Sequence, residues 1–129
     1  MKKTRGKKLL SITCLCGLAF LVTSLLSTRV YVEDVTRIEL WDGWTGNMVE
    51  ITDGETISDL LIPFQGKRYW LLFIGPSGGW SYRLRFFQGE EQVLEVVLRG
   101  GIIDIDGIPH GRLGQILNFD MLQAILDAQ

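Results

Sequence analysis

Nineteen consecutive residues, Leu9 to Ser27, carry no charge, and five cations (Lys2, Lys3, Arg5, Lys7 and Lys8) crowd the first eight positions ahead of them. As a helix the run spans roughly 28 Å, close to the ~30 Å hydrocarbon core of a bilayer. A basic flank on its N-terminal side directs that end inward and the rest of the chain outward. Two fates fit. The run stays as a membrane anchor through residues 9–27, or it is a signal peptide cut after Val22-Thr23-Ser24, whose residues suit the usual −3 and −1 positions. Both predict export. Residues 1–28 are therefore read as a signal peptide or N-terminal transmembrane anchor, and residues 29–129 as an extracytoplasmic domain, at the cell membrane or secreted.

The same run holds both cysteines, Cys14 and Cys16. Neither suits a lipoprotein site, because Thr13 and Leu15 precede them and apolar sequence continues beyond. The exported part has no cysteine at all, so its stability must come from a hydrophobic core rather than disulfides. Its charge is also informative. The whole chain is −2, but residues 29–129 carry 8 cations against 15 carboxylates, a net −7. A binder of the phosphate backbone needs the opposite field, which argues against nucleic acid.

Val35 to Trp41 reads as a strand, followed by the turn-rich Asp42-Gly43-Trp44-Thr45-Gly46-Asn47 and a second strand, Met48 to Ile51. Thr52 with Glu55 three residues later forms a capping-box pattern. Ile57, Leu60, Leu61 and Phe64 then make one apolar helical stripe, which Pro63 should end near Leu61 or Ile62. Arg68–Ile74, Trp80–Phe87 and Gln92–Arg99 read as strands, as do Ile102–Ile105 and Ile108–Leu113 around the Asp106-Gly107 turn. Asn118 can cap a last helix with a stripe of Phe119, Leu122, Ile125 and Leu126. This order predicts an α+β fold: an N-terminal hydrophobic helix, then one antiparallel sheet of about 5–7 strands and two helices.

Alternation fixes a register. Pairing Leu84 with Val96 sets Phe86 opposite Leu94, Tyr82 opposite Leu98 and Arg85 opposite Glu95. Pairing Ile74 with Trp80 likewise sets Leu72 beside Tyr82 and Trp70 beside Leu84. One face, carrying Trp70, Leu72, Ile74, Trp80 and the inward residues of the next two strands, is the expected core. The second face then carries Tyr69, Leu71, Phe73, Phe87, Val93 and Val97 around Arg83, Arg85 and Glu95. A solvated face alternates to polar residues, and this one does not. Either a helix of the chain covers it, or it is an interface with another exported protein or a second copy.

Three constellations invite chemistry. Gly75-Pro76-Ser77-Gly78-Gly79 matches the nucleophile-elbow pattern of hydrolases, with Asp104 or Asp106 and then His110 following in order. Yet an elbow leads into a helix, and Trp80 onward alternates as a strand. Asp104-Ile105-Asp106-Gly107 with His110 suggests a metal site, but Pro109 and Gln115 occupy the positions where a calcium loop needs Gly and Glu. With one histidine, a histidine-rich zinc site cannot be assembled either. Alternation instead points Ile103 and Ile105 inward and leaves Asp104 and Asp106 facing water. No catalytic, metal-binding or cofactor-binding residue is assigned. The third constellation is Trp41 and Trp44 flanking a loop with Asp42, Thr45 and Asn47. Aromatic rings beside polar groups can stack on sugars, so Trp41, Trp44 and Asn47 are candidates for binding a wall glycan or peptide.

Arg37-Ile38-Glu39-Leu40, Val49-Glu50-Ile51-Thr52-Asp53, the strand Gly79 to Phe87 and the turn Ile103-Asp104-Ile105-Asp106-Gly107-Ile108-Pro109 together resemble a group of small uncharacterised exported domains of Gram-positive bacteria. The resemblance covers most of residues 35–127. Relatives in that group commonly carry Tyr after the turn, where this chain has His110. The resemblance implies an α+β domain behind a signal or anchor, and no activity or functional residue carries over.

Overall fold

The computed structural model describes residues 3–72, 78–111 and 117–128. Helix α1 (Lys3–Leu25) leads directly into strand β1 (Ser27–Arg29), and the sheet ladder reaches back almost to the helix, because Leu71 N–H donates to Leu26 C=O at 2.8 Å. No helix among the described residues is long and apolar enough to cross a membrane.

The fold is α+β, as the alternation of strand and helix patterns predicts. The remaining strands are β2 (Arg37–Asp42), β3 (Met48–Ile51), β4 (Arg68–Leu71), β5 (Tyr82–Gln88), β6 (Glu91–Arg99), β7 (Ile102–Ile105) and β8 (Ile108–Gly111). Helix α2 (Gly54–Leu61) lies between β3 and β4, and α3 (Phe119–Asp127) follows β8. Among the described residues there are eight strands in one antiparallel sheet, ordered β1-β4-β8-β7-β6-β5-β2-β3. The strand beyond the expected 5–7 is β1, which straddles the boundary between apolar run and polar lead-in and shows no alternation long enough to read.

Local signals set most elements. The β5–β6 register is the one that alternation predicts, with Leu84 opposite Val96, Phe86 opposite Leu94 and Arg85 opposite Glu95. Asp106 and Gly107, at φ 49° and 80°, make the tight turn between β7 and β8 that an Asp-Gly pair favours. Asn118 caps α3 by accepting from Asp120 N–H. In α2 the cap is Asp53 rather than Thr52: its carboxylate accepts from both the N–H and the hydroxyl of Thr56. A carboxylate at the positive end of the helix serves better than a hydroxyl, which moves the start by one residue.

The core lies on one face of the sheet. Ile38 and Leu40, Leu84 and Phe86, Val96 and Ile103 are buried there beneath Leu60, Phe64 and Leu122. Phe64, just past α2, meets Phe86 edge-on at 5.9 Å and Tyr69 at 6.4 Å. At the other end Phe119 of α3 packs on Tyr82 at 5.5 Å, and the Tyr82 hydroxyl bonds Gln123.

The expected pairing of β4 with β5 is not what forms. Three strands, β8, β7 and β6, lie between them, and β4 pairs instead with β1 and β8. Its facing is consequently opposite to expectation. Tyr69 is fully buried in the core, and Leu71 shares its side of the strand, whereas Trp70, expected inside, is 37% exposed on the second face. Trp80 also leaves the core: it precedes β5, and its ring lies over the Arg83 guanidinium. Phe73, Ile74 and Ser77 lie outside the described residues.

Candidate functional site

Strand parity places Glu39 and Trp41 of β2, Arg83 and Arg85 of β5, Glu95 and Val97 of β6 and Asp104 of β7 on the second face. These side chains form two cross-strand rows, Trp41–Arg83–Val97–Asp104 and Glu39–Arg85–Glu95. Of the proposed interface residues, Arg83, Arg85, Phe87 and Glu95 are brought together here, whereas Val93 sits at a bulge in the β5–β6 ladder and packs against the core. Tyr69 and Leu71 are turned to the core side, and Phe73 is outside the described residues.

Most charges on this face are already matched. Arg37 reaches Glu39 at 3.0 Å and Glu50 at 3.3 Å while its guanidinium lies 4.0 Å over the Phe87 ring. Arg85 bonds Glu95 at 2.9 Å and lies 3.9 Å from Glu39. Arg99 grips Asp104 at 2.6 Å and donates to Gly78 C=O. Asp104 therefore does not face water as alternation suggests. It points outward from the core but is buried under Arg99, which reaches it diagonally from β6.

Trp41 and Arg83 break this pattern. They are direct partners across β2 and β5. The indole Nε1 of Trp41 and the Nε of Arg83 are sealed from solvent and meet no acceptor among the described residues. Trp80 closes the group from above, with the Arg83 guanidinium 4.7 Å from its ring centre. Sequence reasoning missed this cluster because it needs the non-local β2–β5 pairing, and because it assigned Trp41 to the loop and Trp80 to the core.

The loop after β2 is rigidly tied. Asp42 carboxylate accepts from Trp44 N–H at 2.8 Å and Thr45 hydroxyl at 2.7 Å, and that hydroxyl accepts from Asn47 N–H. Trp44, 84% exposed, is thereby held beside Trp80, Gly79, Ser81 and Gly43 in a groove of about 250 Å³. Asn47 is exposed as well but does not line that groove, and Trp41 belongs to the sheet face, so the three residues expected together are not gathered in one site. Burial pushes the Asp42 carboxyl up, but the Trp44 and Thr45 donors outweigh it and hold it below the ordinary carboxylate value. A depressed folded value means that this contribution is present above the unfolded value near 3.8 and is lost as pH falls through the lower folded one. Acid titration below about pH 4 should thus loosen the loop. Asp42→Asn should show a smaller acid-induced loss of stability than the wild type, measured by urea unfolding at pH 7 and pH 3.

His110 and Asp104, which the metal and hydrolase patterns would bring together, are on opposite faces of the sheet. His110 is buried on the core side, where Nδ1 donates to Ile108 C=O at 2.7 Å and Nε2 meets the Thr28 hydroxyl at 3.1 Å. A carbonyl can only accept, so Nδ1 carries a hydrogen, and the ring ties β8 to β1 across the strand between them. The geometry is that of a structural histidine. No family model, curated protein or solved structure matches the chain.

Proposed function

We propose that the chain is a membrane-anchored or secreted, non-enzymatic module that binds another exported protein, or a second copy of itself, through the second face of its sheet. One observation carries the reading. Helices α2, after β3, and α3, after β8, add Leu60 and Leu122 to the core on one side. No helix among the described residues packs on the other side, where Trp41, Trp80 and Phe87 are half-buried beside arginines. Aromatic and arginine side chains in that mixture suit a protein interface. The export half of the reading rests on the basic stretch and apolar run of residues 1–27.

Photo-crosslinking in intact cells tests it. Probes at Met48 and Ile102, on opposite sides of this face, should give adducts, while one at exposed Asp59 of α2 should not. The adduct mass distinguishes a second copy from another protein. Equal labelling at all three positions, or none at the first two, would remove the interface. Recovery of the adducts with the membrane fraction after an alkaline wash would indicate an anchor, and release would indicate secretion.

A second reading has its own observation. The Trp44 ring is held out over the Gly43–Trp80 groove, the disposition that stacking on a wall glycan or peptide requires. Titration with wall fragments should then quench tryptophan emission, and Trp44→Ala should abolish the change.

A further inference from the structure

We propose that Arg83, with Trp41 beside it and Trp80 over it, is a receptor for a single carboxylate presented by a partner polypeptide. The inference rests on reading this face as an interface, and it names the chemistry that the interface recognises.

Strands β2, β5 and β6 bring four guanidiniums to this face, with Arg29 and Arg68 farther along it on β1 and β4. Arg37, Arg85 and Arg99 each have a carboxylate at 2.6–3.3 Å. Arg83 has none, and its buried Nε meets no acceptor, among the described residues. A second unmet donor, Trp41 Nε1, stands directly across the ladder from it. Buried N–H groups are paired in nearly all folded proteins, and two unpaired ones on neighbouring positions point to an acceptor that arrives from outside. The Trp80 ring, 4.7 Å from Arg83 Cζ, is a cation–π partner and supplies no oxygen acceptor to the guanidinium. Arginine offers a planar fork there, and a carboxylate is the planar group that fits it with two parallel bonds.

The rest of the molecule narrows the ligand. With −7 over residues 29–129, the domain repels a polyanion but can accept one carboxylate at an isolated cation. Met48, 44% exposed, extends the row outward past Trp41 at the free edge of β3. An extended peptide crossing that edge would lay an apolar side chain on Met48 and its acid on Arg83. The acid is either a chain terminus or an Asp or Glu side chain.

The full ¹⁵N-labelled chain in detergent micelles, titrated with three small probes, decides the matter. N-acetyl-Ala-Ala carries a free terminal carboxylate, N-acetyl-Asp-amide a side-chain carboxylate, and N-acetyl-Ala-Ala-amide none. The Trp41 indole and Arg83 Nε–H resonances should move with at least one of the first two and stay still with the third. Whichever acid moves them identifies the source. Arg83→Gln should weaken the response about tenfold or more, while loss of a cation at exposed Lys67, in Lys67→Gln, leaves it within about twofold. Arg83→Lys keeps the charge and loses the fork, so it should weaken binding too, and it guards against misfolding of the glutamine variant. Silence with both acids, equal shifts with the amide, or an unchanged response in Arg83→Lys would overturn the receptor. Cellular adducts at Met48 with a silent titration would leave the interface standing and sink the receptor. A positive titration without adducts would support the receptor and remove the partner.

Discussion

Tyr69→Ala should cost about 3–5 kcal/mol of stability, whereas Trp70→Ala should cost less than about 1 kcal/mol. The two residues are adjacent on β4 and point opposite ways. Tyr69 is fully buried, packs against Phe64 and sends its hydroxyl to Pro63 C=O at 3.2 Å. Truncation removes that packing and that hydrogen bond and opens a cavity beside Phe64. Trp70 is 37% exposed on the second face, so its removal gives up less burial than loss of the fully buried Tyr69. Urea unfolding of the two variants followed by circular dichroism would measure the difference. Equal losses, or a larger loss at Trp70, would show that β4 faces the way a direct β4–β5 pairing demands.

That pair of variants also marks where the sequence stops being legible. The β5–β6 hairpin could be read to the residue because a short polar turn joins two alternating strands, so neighbours in sequence are neighbours in the sheet. The same logic misled at β4, whose sheet neighbours are β1 and β8. Its facing follows from Tyr69 meeting Phe64, a contact that no local pattern specifies. The ambiguity was sharpened by composition: Tyr69, Trp70, Leu71 and Leu72 are all apolar or aromatic, so either parity buries a plausible set. Asp104 shows a subtler limit. Alternation gave its side of the strand correctly but not its burial, because that depends on Arg99 reaching across from β6. The receptor cluster lay beyond reach for the same reason. Trp41 and Arg83 are 42 positions apart, and only the β2–β5 ladder makes them neighbours.

Gly43→Ala should be the most damaging change available outside the core, with a loss of about 1–3 kcal/mol or more. A Cβ at Gly43 would fall on the Trp80 carbonyl oxygen and lie 2.8 Å from a Trp80 ring carbon. The oxygen is backbone, so it cannot swing aside as a flexible side chain would. Gly43 N–H also donates to Ser81 C=O at 2.8 Å, which pins the β2–β3 turn against the approach to β5. Relief therefore requires the two segments to part. Gly54→Ala makes the matched control: the site is open, it begins α2, and the added methyl favours a helix. That variant should be neutral or slightly more stable. The contrast bears on binding as well as folding, because Trp80 is at once what Gly43 touches and what lies over Arg83. If parting those segments displaces the ring, Gly43→Ala should weaken the carboxylate response without altering any donor. A folded Gly43→Ala protein with a wild-type response would mean that Trp80 merely covers Arg83 and takes no part in presenting it.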